Sequence, residues 1–273
     1  MTSHQSPVAS TGFFVTGTDT GVGKTLVACS LLRAFAARGW TVAGMKPVAS
    51  GAMRGEQGLV NDDVEQLIAA SNVAAPREHV NPYCFAPPIA PHIAALQSGV
   101  TISSDRIEQS FRALAARAQV VVVEGVGGFC VPLGAGADTA QLAARLALPV
   151  VLVVGLRLGC LNHALLSVEA VAARGLRLAG WVANHIDSQM AAAEENVRTL
   201  EALVAAPLLA RIAFAASPDA AKIAATLDTH SLACRARRKS LRLLRFWPVA
   251  WLPRKGACDT FHTFDAGVIS GRK

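Results

Sequence analysis

The chain has 273 residues, 52% of them hydrophobic and 16% charged, which fits one large or two small globular domains and excludes a disordered or low-complexity chain. No apolar run reaches the roughly 18 residues that a membrane-spanning helix needs. The net charge of +7 is local: residues 233–273 carry ten Lys/Arg against two Asp/Glu, a net of +8, which leaves about −1 for residues 1–232. Along the chain, residues 13–16 read as a strand entering a glycine-rich loop, and residues 25–38 as a helix that Gly39 ends. A strand over 41–45 leads into KPVASG, and short helices follow over 62–70 and from 91 to 97. Residues 120–124 hold four consecutive valines, a run too apolar on both sides for an exposed sheet. A helix over 138–146, a strand over 150–155, a helix over 162–174 and a strand over 178–184 follow. A helix over 191–203 and a strand over 208–212 complete the alternation.

Repeated β-α units with doubly buried strands predict an α/β fold, with a mostly parallel sheet between two helical layers. The predicted organisation is a flexible N-terminus over residues 1–12, a domain over 13–232 and a basic, poorly ordered extension over 233–273. Pro248 and Pro253 interrupt any long amphipathic helix in that extension, and a basic run alone identifies no partner. The first twelve residues show no basic region followed by an apolar core, so no secretory leader is expected. Cys29, Cys84, Cys130, Cys160, Cys234 and Cys258 lie scattered without a Cys-x-x-Cys pair, which points to thiols of a cytoplasmic protein rather than to disulfides.

In sheets of this kind ligands gather at the carboxyl ends of the strands. Three polar segments sit there. The first is FFVTGTDTGVGKT, residues 13–25, in which Gly-Lys-Thr opens a helix after a strand and a glycine-rich turn. Backbone N–H groups and the helix dipole would hold an anion there, Lys24 would reach terminal phosphates, and the Thr25 hydroxyl would bind Mg²⁺. The spacing departs from the common phosphate loop: five residues separate Gly17 from Gly23, and Thr18 stands where the first glycine is usual. The second is Lys46, which by itself reads as a solvated charge. The third is Glu124, whose charge at the end of a buried strand is unexpected unless it has a partner. Asp63 is a further Mg²⁺ ligand candidate, because that ion takes oxygen ligands and bridges phosphates through one or two carboxylates. The plainer reading of Asp62 and Asp63 is ordinary helix capping.

Taken together, FVTGTDTGVGKT, KPVASG, VNPYCF, PHIAAL, VEGVGG, LPVVLVVGLRLGCLNHALL and LAGWVAN are similar to the dethiobiotin synthetase family, in collinear order over residues 13–219. The resemblance implies a P-loop NTPase-like fold and an ATP-dependent ligase that carboxylates 7,8-diaminononanoate with CO2 to give dethiobiotin, ADP and phosphate. The five-residue loop spacing is a feature of that family. By the same resemblance Gly21, Val22, Gly23, Lys24, Thr25 and Leu26 form the ATP phosphate loop, and Lys46 joins Lys24 as a catalytic lysine. Thr20 and Ser50 contact the substrate. Thr25, Asp63 and Glu124 hold Mg²⁺, with Gly125, Val126 and Gly127 lining the nucleotide after Glu124. Asn184 hydrogen-bonds adenine, with His185 beside it. Leu158, Gly159, Cys160, Leu161 and Asn162 form a helix start that receives the substrate carboxylate across a homodimer interface, which suits the positive end of a helix dipole.

Three departures stand out. Ile212-Ala213-Phe214 replaces the usual Ile-Pro continuation, which weakens any adenine contact at residues 213–215 and at Asp219. Gly21 stands where some members carry Glu. The basic extension has no counterpart in the pattern. A rival reading is a partition- or maturation-type ATPase switch that would dock its basic tail on DNA or membrane. Such proteins carry lysine five residues before the Gly-Lys-Thr lysine, where this chain has Asp19, and have no use for KPVASG or LGCLNHA. Neither nucleic acid nor membrane is therefore expected as a partner.

Overall fold

A computed structural model describes residues 11–56, 58–134, 136–229 and 232. The expectations for residues 1–10 and 233–273 lie outside the described residues. In chain order the elements are β1 (Thr11–Gly17), α1 (Lys24–Ala36), β2 (Val42–Met45), β3 (Val48–Ser50), β4 (Met53–Gly55), β5 (Gly58–Val60) and α2 (Asp62–Ala70). Next come α3 (Arg77–Val80), β6 (Tyr83–Phe85), α4 (Pro91–Gln97), α5 (Ser104–Ala115), β7 (Val120–Glu124), β8 (Pro132–Gly134) and β9 (Ala137–Asp138). The chain continues through α6 (Thr139–Leu146), β10 (Val150–Leu156), α7 (Cys160–Ala173), β11 (Leu178–His185), α8 (Ala193–Leu203), β12 (Leu208–Ile212) and α9 (Ala220–Thr226).

Six strands of the described residues form one sheet in the order β12-β11-β10-β1-β7-β2, and every pairing in it is parallel. Alternation along the strands feeds two cores. Phe13, Val15, Val120 and Val122 pack with Leu31, Leu32 and Phe35 of α1 on one face. Phe14, Val121 and Val123 pack with Ile107 and Leu114 of α5 and Ala140 of α6 on the other. A third cluster joins Leu152 and Trp181 to Ala164 of α7 and Val197 and Leu200 of α8. Valines 120–123 are fully buried, each worth about 1.5–3 kcal/mol in apolar area removed from water. This explains why so plain a run reads clearly as a central strand. The result is a three-layer α/β fold, with one parallel sheet between two helical layers.

The strand entering the glycine loop starts two residues earlier than the apolar pattern suggests, because Thr11 and Gly12 pair with Val120 and Val121. Helix α5 goes beyond the sequence expectation, although Ser103 caps it through the Arg106 N–H and Ile107 and Leu114 bury one face. The two-stranded pairs β3-β6, β4-β5 and β8-β9 have two or three residues per strand, too few to show a period. Among the described residues no helix is long and apolar enough to cross a membrane.

Candidate active site

The turn between β1 and α1 is built from backbone constraints. Thr18 N donates to Val153 O (2.9 Å), and Gly155 N donates to Thr18 Oγ1 (3.3 Å), so the loop is tied to β10 beside it. Gly23, the residue before α1, has φ of 92°, and a Cβ there would lie 2.3 Å from Asn184 Nδ2. Only glycine satisfies both conditions. The Asn184 amide reaches under the loop and donates to Val22 O (2.9 Å). Helix α1 has no side-chain cap at Gly23, which leaves its first-turn N–H groups for an anion. Lys24 Nζ donates to Asp19 O (2.7 Å). Burial, and then the charge of Lys46, brings the Lys24 ammonium down from 10.5 to about 8.

The second half of the site comes from the carboxyl ends of β2 and β7 and from the first turn of α2. Lys46 follows β2, with its backbone fixed by Lys46 N to Val80 O (2.8 Å) and by Asn81 Nδ2 to Lys46 O (2.6 Å). Asp63 lies in the first turn of α2. Asn61 supplies the cap of that helix through the Val64 N–H, so the plain capping role goes to neither Asp62 nor Asp63. Glu124 ends β7 and is 1% exposed. Lys46 Nζ donates to Glu124 Oε1 (2.5 Å) and to Asp63 Oδ2 (2.8 Å). Thr25 Oγ1 lies 2.8 Å from Asp63 Oδ1 and 2.9 Å from Glu124 Oε1, its one proton shared between the two carboxylates.

The electrostatics follow from that geometry. Burial would lower the Lys46 ammonium, but the Glu124 and then the Asp63 carboxylate outweigh it and hold the group above its ordinary value. Burial raises Glu124, with Lys46 offsetting part of the shift. Asp63 stays below its ordinary value because Lys46, by charge and hydrogen bond, overcomes its burial. The cluster therefore holds its lysine charged.

These groups share a cleft of about 820 Å³. Of the residues expected from sequence, Thr20, Gly21, Gly23, Lys24, Thr25, Lys46, Ser50, Asp63, Glu124, Val126 and Gly127 line it. The Ser50 hydroxyl oxygen is buried and finds no hydrogen-bond partner among the described residues. Val22, Leu26, Gly125, Asn184 and His185 do not line this cleft; Val22 is buried beneath the loop, and His185 Nε2 lies 3.8 Å from Glu194 Oε1. Residues 158–162 also lie outside it: Leu158 is 95% exposed, and Gly159, with φ of 94°, opens α7 without a side-chain cap. Asp219, at the weakened end of the resemblance, caps α9 by accepting the Ala221 N–H at 2.8 Å. The cleft also contains residues to which the sequence assigned no site role: Asp19, noted only for replacing a lysine, Gly128, Val131 and an apolar wall of Pro88, Ile89, Ala90 and Pro91. The signal for that wall was the run of prolines at 87, 88 and 91, which stiffens a loop ahead of α4.

The donor set suits a hard cation. Two carboxylates and a hydroxyl converge, all oxygen, and Glu124 Oε2 is buried without a hydrogen-bond partner among the described residues. No group of three or more His, Cys, Asp or Glu that could hold a metal occurs among the described residues. A cation here would need further oxygens from phosphate or water. That is the usual habit of Mg²⁺ in nucleotide sites.

Residues 11–221 match the protein family described as an AAA domain. An ATP-dependent dethiobiotin synthetase from Aromatoleum aromaticum is 54% identical over 217 residues, 79% of this chain and 96% of its own. An enzyme of the same name from Nitrosospira multiformis is 53% identical over 217 residues, 80% of this chain and 94% of its own. A solved ParA family ATPase from Chlorobium tepidum matches at a TM-score of 0.47 and 13% identity, over 76% of this chain and 85% of that one. That likeness is too slight to add to the fold already described.

Proposed function

The chain belongs to the ATP-dependent dethiobiotin synthetases, a family of ligases, and from that premise we propose that it closes the urea ring of dethiobiotin from 7,8-diaminononanoate, CO2 and ATP. The observation that carries this reading is the meeting of Lys24, Thr25, Lys46, Asp63 and Glu124 in one cleft at the strand ends. Three anionic species would pass through that cleft: the triphosphate, a carbamate and released phosphate. A pair of lysines with fixed N–H donors is equipment of the right sign.

An uncharged amine of the diamine adds to CO2 and, on losing a proton, becomes a carbamate. A carbamate oxygen attacks the γ-phosphorus, the bond to ADP breaks, and a carbamic-phosphoric anhydride results. The second amine attacks the carbonyl carbon and expels phosphate, which closes the ring. Mg²⁺, held by Thr25, Asp63 and Glu124, would supply positive charge beside the phosphate oxygens. Lys24 would exchange the Asp19 carbonyl for the terminal phosphates, and Lys46 would turn from its carboxylates toward the carbamate and the transferring phosphoryl group. Ser50 would orient the substrate with its unpartnered hydroxyl, and the wall of residues 88–91 would lie along its methylene chain. No protein nucleophile is required.

The remaining assignments are part of the same proposal. Residues 158–162 would bind the substrate carboxylate of a partner subunit, a role compatible with an exposed Leu158 and an uncapped start of α7 outside the chain's own cleft. Asn184 would serve the nucleotide by holding Val22 in place as well as by meeting the adenine. Phosphate release from ATP that depends on both the diamine and bicarbonate tests this function. Hydrolysis without them, stimulated instead by DNA or lipid, would favour the ATPase switch.

A further inference from the structure

Asp19 occupies the crown of the phosphate loop, and no step of the chemistry above uses its carboxylate. Three interactions converge on this residue. Thr20 N donates to Oδ1 (2.7 Å), Lys24 Nζ donates to the Asp19 carbonyl (2.7 Å), and Arg157 Nη2 forms an ion pair with Oδ2. Arg157 directly follows β10 and stands two residues before Gly159, where α7 begins. The pair therefore ties the rim of the anion-binding loop to the turn after the neighbouring strand, 138 residues away in sequence. Its side chains are 45% and 43% exposed, so such a pair contributes little to folding. Its placement argues for an effect on the ligand instead. Asp19 lines the cleft, and an uncompensated carboxylate there would repel a triphosphate.

We propose that Asp19 and Arg157 are a positioning pair. Arg157 draws the Asp19 carboxylate to the β10 side of the loop and compensates its charge, which leaves the Asp19 carbonyl turned toward Lys24. When phosphate takes Lys24 Nζ away from that carbonyl, the bond to Arg157 keeps the loop crown in place. The proposal rests on the reading of this cleft as a nucleotide site and goes beyond it by assigning two residues outside the phosphate-contacting set.

The test is a calorimetric titration of the full chain with a non-hydrolysable ATP analogue and Mg²⁺, with a thermal melt of each variant. Arg157→Met should raise Kd about tenfold, and Arg157→Lys, which keeps the charge, should stay within about threefold of wild type. Asp19→Asn keeps the Thr20 N–H acceptor and should cost less than Arg157→Met. Adding Asp19→Asn to Arg157→Met should recover most of the loss, a coupling that independent residues would not show. All variants should melt close to wild type. An unchanged Kd in Arg157→Met, or losses that add in the double variant, overturns the pair. A wild-type chain that binds no nucleotide overturns the nucleotide reading on which the pair rests, a result distinct from normal binding with indifferent variants.

Discussion

Replacing Lys46 by methionine removes one ammonium and keeps an apolar stem of similar length, so its consequences trace to charge rather than to lost packing. Lys46 is 4% exposed, with Nζ 2.5 Å from Glu124 Oε1 and 2.8 Å from Asp63 Oδ2. Without it, two carboxylates face each other across the Thr25 hydroxyl with no cation between them. Removing one partner of a buried pair costs about 3–5 kcal/mol. Asp63 is 39% exposed in its side chain, and solvent relieves part of that loss, so the lower end, about 3 kcal/mol, is expected in ligand-free protein. On turnover, one lost electrostatic contact to the reacting phosphoryl group is worth about 3 kcal/mol, or about a hundredfold. Urea melts measure the first figure, and dethiobiotin formation at saturating ATP measures the second. A folded Lys46→Met variant that makes dethiobiotin at near the wild-type rate would refute the role assigned to this lysine.

Other perturbations reach different parts of the site. Gly23→Ala forces a side chain to φ of 92° at about 1–2 kcal/mol and drives its Cβ against Asn184 Nδ2, which breaks the bond to Val22 O at about 1 kcal/mol more. A total of about 2–3 kcal/mol and loss of nucleotide binding are expected, and an unchanged urea midpoint would contradict this. Asp63→Asn should raise the Mg²⁺ concentration for half-maximal activity about tenfold, since one of two carboxylates loses its charge; an unaltered Mg²⁺ dependence counts against Asp63 as a ligand. Burial pushes the Cys29 thiol up to about 12, while Cys130 is exposed. A raised value keeps Cys29 protonated through pH 8 and lets it ionise only as pH climbs toward 12. Iodoacetamide at pH 8 should therefore label Cys130 and spare Cys29, as read by peptide mass spectrometry. Equal labelling of the two would disprove the buried environment.

The parts of this molecule that were legible in sequence are those whose cause is local. The valines at 120–123 announce a doubly buried strand, and Gly-Lys-Thr after a strand announces the loop. Both appear where the periodicity places them. The long-range geometry was not legible. Thr25 meets Asp63 and Glu124 across 38 and 99 residues, and composition alone does not reveal that Lys46 bridges the same two carboxylates. Asn184 could be marked as polar at a strand end, but the use of its amide to hold Val22 O depends on how β11 lies beside the loop. Asp19 drew notice as the residue replacing a lysine, yet its partner Arg157 emerges only once β1 and β10 are side by side. Helix α5 is a different case, because Ser103, Ile107 and Leu114 carried its signal throughout.

The most direct test of the central claim is mass-spectrometric detection of dethiobiotin in a mixture of the purified chain, 7,8-diaminononanoate, ATP, Mg²⁺ and bicarbonate. Dethiobiotin should accumulate in equal amount to ADP and phosphate, and omission of any one substrate should abolish it. ATP hydrolysis that proceeds without the diamine and yields no dethiobiotin would contradict the account.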